Sequence, residues 1–187
     1  EYNIWIPELI FGHLRTSTNY NKNEKKIVGG KNGFGFKLVL IWSTWGQIET
    51  IDSKTGQKYI QTFKNNLDII EEPIISKTKE KPYTCVRFKP DFKRLGIEGL
   101  NDDFKDLMMR RIYDIAAVTN KSINVTFNNN KLNPEVKNFQ QYIDLYIGSK
   151  SELQRIYEEA NERWEYAVCL SPNEEFAQVS FVNGIFT

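Results

Sequence analysis

A glycine-rich loop that runs directly into an apolar segment constrains the fold of this chain more than any other feature. Gly29–Lys37 begins with a glycine and carries three more at 30, 33 and 35, and Leu38–Trp42 follows without a break. The pattern predicts a turn that leads into a helix, with Leu38–Trp42 buried on nearly all faces. Glycines let the backbone approach a ligand closely, and free amides at the start of a helix favour an anion. A turn that merely caps a buried helix is the alternative, because short glycine motifs are weakly specific.

Polar side chains in this loop strengthen the anion hypothesis. Lys31 and Lys37 add positive charge, and Asn32 adds an amide that can donate to phosphate oxygens. The segment lacks the Gly-Lys-Ser/Thr ending of a P-loop, and no strand precedes it as a dinucleotide fingerprint requires. It is therefore neither of the two common phosphate loops.

Alternation of apolar and polar residues predicts antiparallel strands in the middle and at the end of the chain. The patterns cover 47–63, with a hairpin turn at Ser53–Gly56, and 83–88. A further strand is predicted at 123–127. Trp164–Leu170 and 176–185 are predicted to form a strand pair that buries Trp164, Tyr166, Val168 and Leu170 on one face and needs further elements to cover it.

Helical spacing appears in two places. Pro7 predicts the first turn of a short helix that ends before Thr16. Asn101 caps a longer helix that runs to about Asn120, and its acidic first turn, Asp102 and Asp103, has a structural role. This helix is predicted to pack on the sheet through Phe104, Leu107, Met108, Ile112 and Ile115. Residues 139–147 are a short helix or an extended segment, and the mixed order of elements predicts an α/β (α+β) sandwich with a mostly antiparallel sheet.

Composition narrows the function classes. The 187 residues carry 25 Lys and Arg against 24 Asp and Glu, so the formal charge of +1 gives no reason to expect long-range attraction to nucleic acid or to an anionic membrane. The longest apolar run is far shorter than a membrane span. Cys85 and Cys169 form no spaced framework, and His13 is the only histidine, which excludes histidine triads and predicts no metal site.

Seven stretches carry motifs that occur together, in the same order, in one known family. They are Leu9-Ile-Phe-Gly-His-Leu-Arg-Thr-Ser-Thr-Asn-Tyr20, Glu24-Lys-Lys with Gly29-Gly-Lys-Asn-Gly-Phe-Gly-Phe-Lys37, Tyr83-Thr-Cys-Val-Arg-Phe-Lys-Pro90, Arg110-Arg-Ile-Tyr-Asp-Ile-Ala116, Tyr142-Ile-Asp-Leu-Tyr146, Ala160-Asn-Glu-Arg-Trp164 and Ser180-Phe-Val-Asn183. The set resembles the ATPase region of type IIA DNA topoisomerases of eukaryotes and large DNA viruses. The order along nearly the whole chain is more specific than any single motif.

The resemblance implies a fold and a domain division. Residues 1–133 would be the C-terminal half of a GHKL-type nucleotide-binding sandwich. Residues 134–187 would begin a transducer domain of the ribosomal-protein-S5-like α/β type, which relays nucleotide state to the DNA gate.

The resemblance also implies the residues that contact the nucleotide. Ser17, Thr18 and Asn19 match a stretch that contacts ribose and phosphates. Lys31 stands where the family often has Arg, and the phosphate loop continues through Asn32, Gly33, Phe34, Gly35, Phe36 and Lys37. Phe34 and Phe36 replace residues that are commonly Tyr and Ala. Gly33 and Gly35 are predicted to be the least replaceable, as positions that need a positive φ close to phosphate.

On this resemblance the whole protein is an ATP- and Mg²⁺-dependent enzyme, a nuclear homodimer (or a protein of viral replication sites) that passes one DNA duplex through another, with no membrane contact. The family's magnesium-binding Asn, its water-activating Glu and its adenine motif would precede Glu1, and the transducer's Gln-Thr-Lys loop would follow Thr187. This segment is thus expected to contain no catalytic residue and not to hydrolyse ATP alone. A non-catalytic coupling platform and other GHKL ATPases, such as heat-shock chaperones and mismatch-repair ATPases, are the alternatives.

Overall fold

The computed structural model describes residues 3–21, 23–24, 28–131, 136–171 and 173–187, with the side chain of Lys131 left aside. These residues fall into two units. One contains Gly30–Gly99 and the described residues up to 24, and the other contains Leu100–Thr187 with Val28 and Gly29. No helix in the described ranges is long and apolar enough to cross a membrane.

The first unit is built around one antiparallel sheet. Its elements are α1 (Ile6–Gly12), α2 (Gly35–Ile41), β1 (Ser43–Asp52), β2 (Gln57–Lys64), β3 (Ile69–Ile70), β4 (Ile74–Lys77), β5 (Thr84–Pro90) and α3 (Phe92–Leu95). The strands lie in the order β3-β2-β1-β5, and β4 also pairs with β2. The predicted turn at Ser53–Gly56 joins β1 to β2, and Gly56 has the positive φ of 62° that this turn requires.

One face of this sheet carries the apolar core of the unit. Leu40 of α2 packs on Ile48 of β1 and Phe63 of β2, and all three are at most 1% exposed. Helix and sheet approach so closely that a Cβ at Gly46 would lie 2.3 Å from Cδ2 of Leu40. The core therefore fixes α2, the helix that follows the glycine-rich loop, against the middle of the sheet.

The predicted burial of Leu38–Trp42 on all faces is wrong. Leu38 is 49% exposed and Trp42 is 39% exposed, whereas Leu40 is buried. A helix of only seven residues presents one face to the sheet, and its apolar side chains on the other side stay in contact with solvent.

The other face of the sheet carries a buried carboxylate. Glu49 of β1 accepts from Lys58 Nζ at 2.8 Å, from the hydroxyl of Tyr83, and from Arg87 Nη1 at 2.7 Å. These hydrogen bonds, Lys58 first, lower the pKa of Glu49 from 4.5 to about 2. The charge of this residue is thus compensated from both neighbouring strands.

The second unit combines two helices with three short hairpins. Its elements are α4 (Asp102–Val118), β6 (Thr126–Phe127), β7 (Asn130–Lys131), α5 (Phe139–Ile147), β8 (Arg155–Asn161), β9 (Trp164–Cys169), β10 (Phe181–Val182) and β11 (Ile185–Phe186). Asn101 caps α4 as predicted, accepting from the amide of Phe104 at 3.0 Å. The segment 139–147, which the sequence left open, is a helix.

The face predicted for α4 is wrong in part. Leu107, Met108 and Ile115 are 43–50% exposed, and the buried side is formed by Ala116 and Ala117. These two residues pack with Val136 and with Tyr142 of α5, and Ile112 joins them from the predicted set. The helix packs on α5 and β6 instead of on a broad sheet. Only a narrow stripe of small residues is therefore buried in this contact.

A buried hydrogen bond connects the two helices. The hydroxyl of Tyr142 donates to Asp114 Oδ1 at 2.6 Å, and Arg111 pairs with the second oxygen at 2.8 Å. Burial and this carboxylate raise the pKa of Tyr142. The pairing satisfies an acidic side chain that is only 4% exposed.

The predicted strand pair of 164–170 with 176–185 is wrong. β9 pairs with β8, and β10 pairs with β11 across a turn formed by Asn183 and Gly184, both at positive φ. Asn-Gly between two short apolar runs is a strong signal for a two-residue hairpin, and it makes a local partner available. The predicted strand at 123–127 is reduced to Thr126–Phe127, which pairs with β7 across Asn128 and Asn129.

The predicted domain boundary between residues 133 and 134 lies outside the described residues. The two units divide at Gly99 and Leu100, which places α4 with the second unit. The boundary at 133 stays a prediction.

Candidate functional site

A tight loop after α1 forms the first wall of the candidate site. The helix ends at Gly12, and Thr16 Oγ1 donates to the carbonyl of His13 at 3.0 Å. Arg15 has a φ of 60°, and its carbonyl accepts from the hydroxyl of Tyr20 at 2.6 Å. These bonds hold 13–20 in one conformation although the segment is outside any helix or strand.

Hydrogen bonds join this loop to the glycine-rich loop. Asn19 Nδ2 donates to the carbonyl of Gly30 at 2.8 Å, and Tyr20 Oη donates to the carbonyl of Asn32 at 3.2 Å. Gly33 has a φ of 69°, and a Cβ there would lie 2.8 Å from the carbonyl oxygen of Thr16. Gly33 is therefore fixed both by its conformation and by the close approach of the two loops.

Between the two loops lies a cleft of about 440 Å³. Its lining residues are Arg15 and Tyr20 from the first loop and Asn32 and Phe34 from the second. The lining thus combines a guanidinium, an amide, a phenol and an aromatic ring. A guanidinium and an amide can donate to phosphate or carboxylate oxygens, so the cleft suits an anionic ligand with an adjoining flat or apolar part.

The other two glycines differ from Gly33. A Cβ at Gly30 or at Gly35 would meet nothing within 4 Å, so the backbone at both positions faces open space. Gly35 is the first residue of α2 and does not have a positive φ. The prediction that Gly35 needs a positive φ is wrong, because the chain is already helical there, and only its openness argues for a ligand.

Lys37 is directed inward in this structure. Its Nζ donates to Thr16 Oγ1 at 2.8 Å, and the residue is only 3% exposed. Burial lowers the pKa of Lys37. The lysine thus ties α2 to the first loop and is not among the residues that line the cleft, whereas Lys31 is exposed.

The remaining predicted residues divide between cleft and core. Phe34 lines the cleft, while Phe36 packs edge-on against Phe11 with ring centroids 4.8 Å apart. Ser17 Oγ accepts from the amide of Asn19 at 3.1 Å, so it shapes the first loop, and Thr18 is exposed. The structure therefore brings the two predicted segments together.

Three residues that the sequence did not assign belong to this site. Thr16 bonds Lys37, Tyr20 bonds both loops, and Arg15 lines the cleft. They neighbour the Ser17–Asn19 stretch and share no spacing rule that would have revealed them. Within the described residues, no group of three or more His, Cys, Asp or Glu side chains could hold a metal ion.

The fold and this pair of loops define a mixed α/β unit of the kind found in ATPase regions. The ATPase region of Saccharomyces cerevisiae topoisomerase II matches with a TM-score of 0.88 and 46% identity over 98% of this chain and 48% of that one. The ATPase and transducer domains of Balamuthia mandrillaris DNA topoisomerase II match with a TM-score of 0.87 and 37% identity over 98% and 46%.

A curated relative gives the same result. DNA topoisomerase 2 of Candida glabrata is 43% identical over an alignment of 201 positions, which covers 98% of this chain and 14% of that protein. No protein-family model matches the chain. By sequence and by fold, the chain belongs with the type IIA DNA topoisomerases, and what it matches is their ATPase region. The resemblance and the predicted GHKL-type α/β class are confirmed.

Proposed function

We propose that this chain supplies the phosphate side of the ATP site in an ATP-dependent type IIA DNA topoisomerase. The chain spans about 14% of the length of the relative from Candida glabrata, so strand passage belongs to a larger protein of this kind. In that protein the second unit would couple nucleotide state to the DNA gate. Residues 134–187 would begin the transducer domain.

One observation carries the proposal. The two segments that the family resemblance assigns to the nucleotide, 17–19 and 31–37, lie on two separate loops, and hydrogen bonds join these loops around one cleft. Gly30 and Gly35 leave the backbone of the glycine-rich loop open, as close approach of a phosphate requires. The site residues are Ser17, Thr18, Asn19, Lys31, Asn32, Gly33, Phe34, Gly35, Phe36 and Lys37.

Each part of the loop pair has its own role in this proposal. Asn32 donates its amide to phosphate oxygens, and Gly33 keeps the turn that brings the loop beside Ser17–Asn19. Phe36 anchors the loop by packing on Phe11 in the core. Lys37 donates a hydrogen bond to Thr16 in the structure. Once released from that bond, its ammonium group would place a positive charge beside the terminal phosphate.

The cofactor and the partners follow from the family. ATP is the nucleotide, and Mg²⁺ would accompany its phosphates. Since the described residues offer no cluster of three acidic, histidine or cysteine side chains, we assign no step in this chain to the metal. DNA would be bound by the whole enzyme, a homodimer located in the nucleus or at a viral replication site.

The direct test is titration of a non-hydrolysable ATP analogue into a form of this chain that is extended toward the N-terminus, to include the adenine motif that the family resemblance implies. We expect binding that weakens about tenfold when Asn32 or Lys37 is replaced by Ala, because each replacement removes a donor to an anion. Lys54→Ala, in the β1–β2 turn, is the matched control and should not change the affinity. Equal affinity in all variants would favour the coupling platform, and absence of binding at millimolar analogue would contradict the proposal.

A second test restores a complete enzyme. The homologous segment of the yeast ATPase region is replaced by this chain, and ATP turnover is measured. We expect turnover that Gly33→Val abolishes, because the added side chain would collide with the carbonyl of Thr16. A folded chimera that binds no ATP would contradict the assignment of this segment to the site.

A further inference from the structure

We propose that Arg15 is a phosphate-binding residue of this cleft and that its guanidinium contacts a nucleoside triphosphate from the side opposite the glycine-rich loop. The inference rests on the proposed function and extends its site to a residue that neither the glycine motif nor the Ser17–Asn19 stretch includes. The ligand class is a polyphosphate with an attached nucleoside.

The backbone fixes the position of Arg15. Its φ of 60° is uncommon for a residue with a Cβ, so surrounding contacts must hold it. The hydroxyl of Tyr20 supplies one such contact by donating to the carbonyl of Arg15 at 2.6 Å, and it shares its single hydrogen with the carbonyl of Asn32 at 3.2 Å. Arg15 is thereby tied to the phosphate loop through a single side chain.

The charges of the cleft favour an anion at Arg15. Among the four lining residues Arg15 is the only cation, while Lys37 is buried and bonded to Thr16. Within the described part of the chain, the guanidinium of Arg15 forms no hydrogen bond and no ion pair, and the residue is exposed. A guanidinium offers a planar fork of donors that fits two phosphate oxygens, which an ammonium cannot do.

The neighbours of Arg15 argue for phosphate over a second possibility. Arg15 could instead stack on a nucleobase, as guanidinium planes do. Asn32 lies in the same lining, however, and offers an amide donor that suits phosphate oxygens. Tyr20 and Phe34 then remain for the nucleoside part.

The experiment compares three ligands with this chain by calorimetry: inorganic tripolyphosphate, a non-hydrolysable ATP analogue and adenosine. The variants are Arg15→Gln, Arg15→Lys and the charge-matched control Lys54→Gln. We expect Arg15→Gln to weaken both phosphate ligands about tenfold, Arg15→Lys to restore part of the loss, and Lys54→Gln to leave affinity unchanged. The effect should shrink in high salt, and adenosine binding should not respond.

The outcomes separate this inference from the proposed function. If the wild-type chain binds both phosphate ligands and Arg15→Gln binds them equally well, the role of Arg15 is refuted and the proposed function stands. If the wild-type chain binds neither, the proposed function fails too. An equal loss of affinity for adenosine would show that Arg15 stacks on the base and does not contact phosphate. Because Tyr20 bonds only the backbone of Arg15, the variants keep that bond, and amide spectra verify the fold.

Discussion

The β1–β2–β5 sheet of the first unit and the β8–β9 hairpin of the second unit are both antiparallel, yet their faces are used in opposite ways. The sheet buries Ile48 and Phe63 on one face and compensates the charge of Glu49 on the other. On one face of the hairpin the side chain of Arg155 is buried and pairs with Asp144, while the other face exposes large apolar side chains on either side of the Glu158–Tyr166 pair. We call that second surface the hairpin apolar face, and its residues are Ile156, Trp164, Val168 and Leu170.

The difference shows what alternation can and cannot specify. In both regions the alternating pattern correctly predicts which side chains share a face. Burial, however, depends on whether α1 or α2 covers that face, and within the described residues no element covers the hairpin apolar face. Trp164 is accordingly 69% exposed and Leu170 is 87% exposed. The sequence therefore determines which side chains share a face. The neighbouring elements determine whether that face is buried and so contributes to the free energy of folding.

The largest expected effect lies in the covered face of the sheet. Phe63→Ala should destabilise the first unit by about 3 to 5 kcal/mol, because it removes a fully buried aromatic ring from contact with Leu40 and Ile48. Amide hydrogen exchange of β1 and β2 measures this free energy separately from the second unit. The matched truncation Val168→Ala, on the hairpin apolar face, should cost less than about 0.5 kcal/mol.

Equal effects of the two truncations would contradict the comparison. A cost below about 1 kcal/mol for Phe63→Ala would mean that the core can close around the cavity or that it is not formed.

A smaller effect is expected from the charged face of the sheet. The pKa of Glu49 is lowered to about 2 in the folded state, against an ordinary value of 4.5. A lowered pKa stabilises the fold above the unfolded value, and that contribution is lost as pH falls from about 4.5 towards 2. The stability of the wild-type first unit should thus decrease over this window more steeply than that of Glu49→Gln.

The two curves should converge only as pH falls below the folded-state pKa of about 2, where Glu49 becomes protonated and resembles the amide. Denaturant unfolding at several pH values, followed by exchange of β1 amides, provides the measurement. Parallel curves across the window would show that Lys58 and Arg87 do not hold the carboxylate in its charged form.

Local signals explain how much of the fold the sequence could predict. Gly56 and the cap at Asn101 act within a few residues, and both predictions are confirmed. The partner of β9 was missed because β8 reads as a charged segment, Tyr157-Glu-Glu-Ala-Asn161, with little apolar alternation. The predicted burial of α4 is wrong in part because helical spacing indicates which residues share a face of the helix. It does not indicate how wide a surface packs against that face.

The candidate site shows the same limit. Glycines mark the second loop in the sequence because few other residues adopt its conformation at Gly33. Arg15 carries no such mark, because a single arginine in a polar loop has no spacing that distinguishes it. Only the bond from Tyr20 to its carbonyl, seen in the structure, places it beside the cleft.

The smallest expected effect comes from the hairpin apolar face. Leu170→Ser should change the stability of the second unit by less than about 0.5 kcal/mol, since the leucine loses almost no buried area on replacement. The same change should lower the fluorescence of a dye that binds exposed apolar surface, because it removes one large apolar side chain that is 87% exposed. Ile115→Ser on α4, at 49% exposure but outside the hairpin apolar face, is the control for the dye. A destabilisation above about 2 kcal/mol by Leu170→Ser would mean that the face is already covered, and the contrast between the sheet and the hairpin would then be lost.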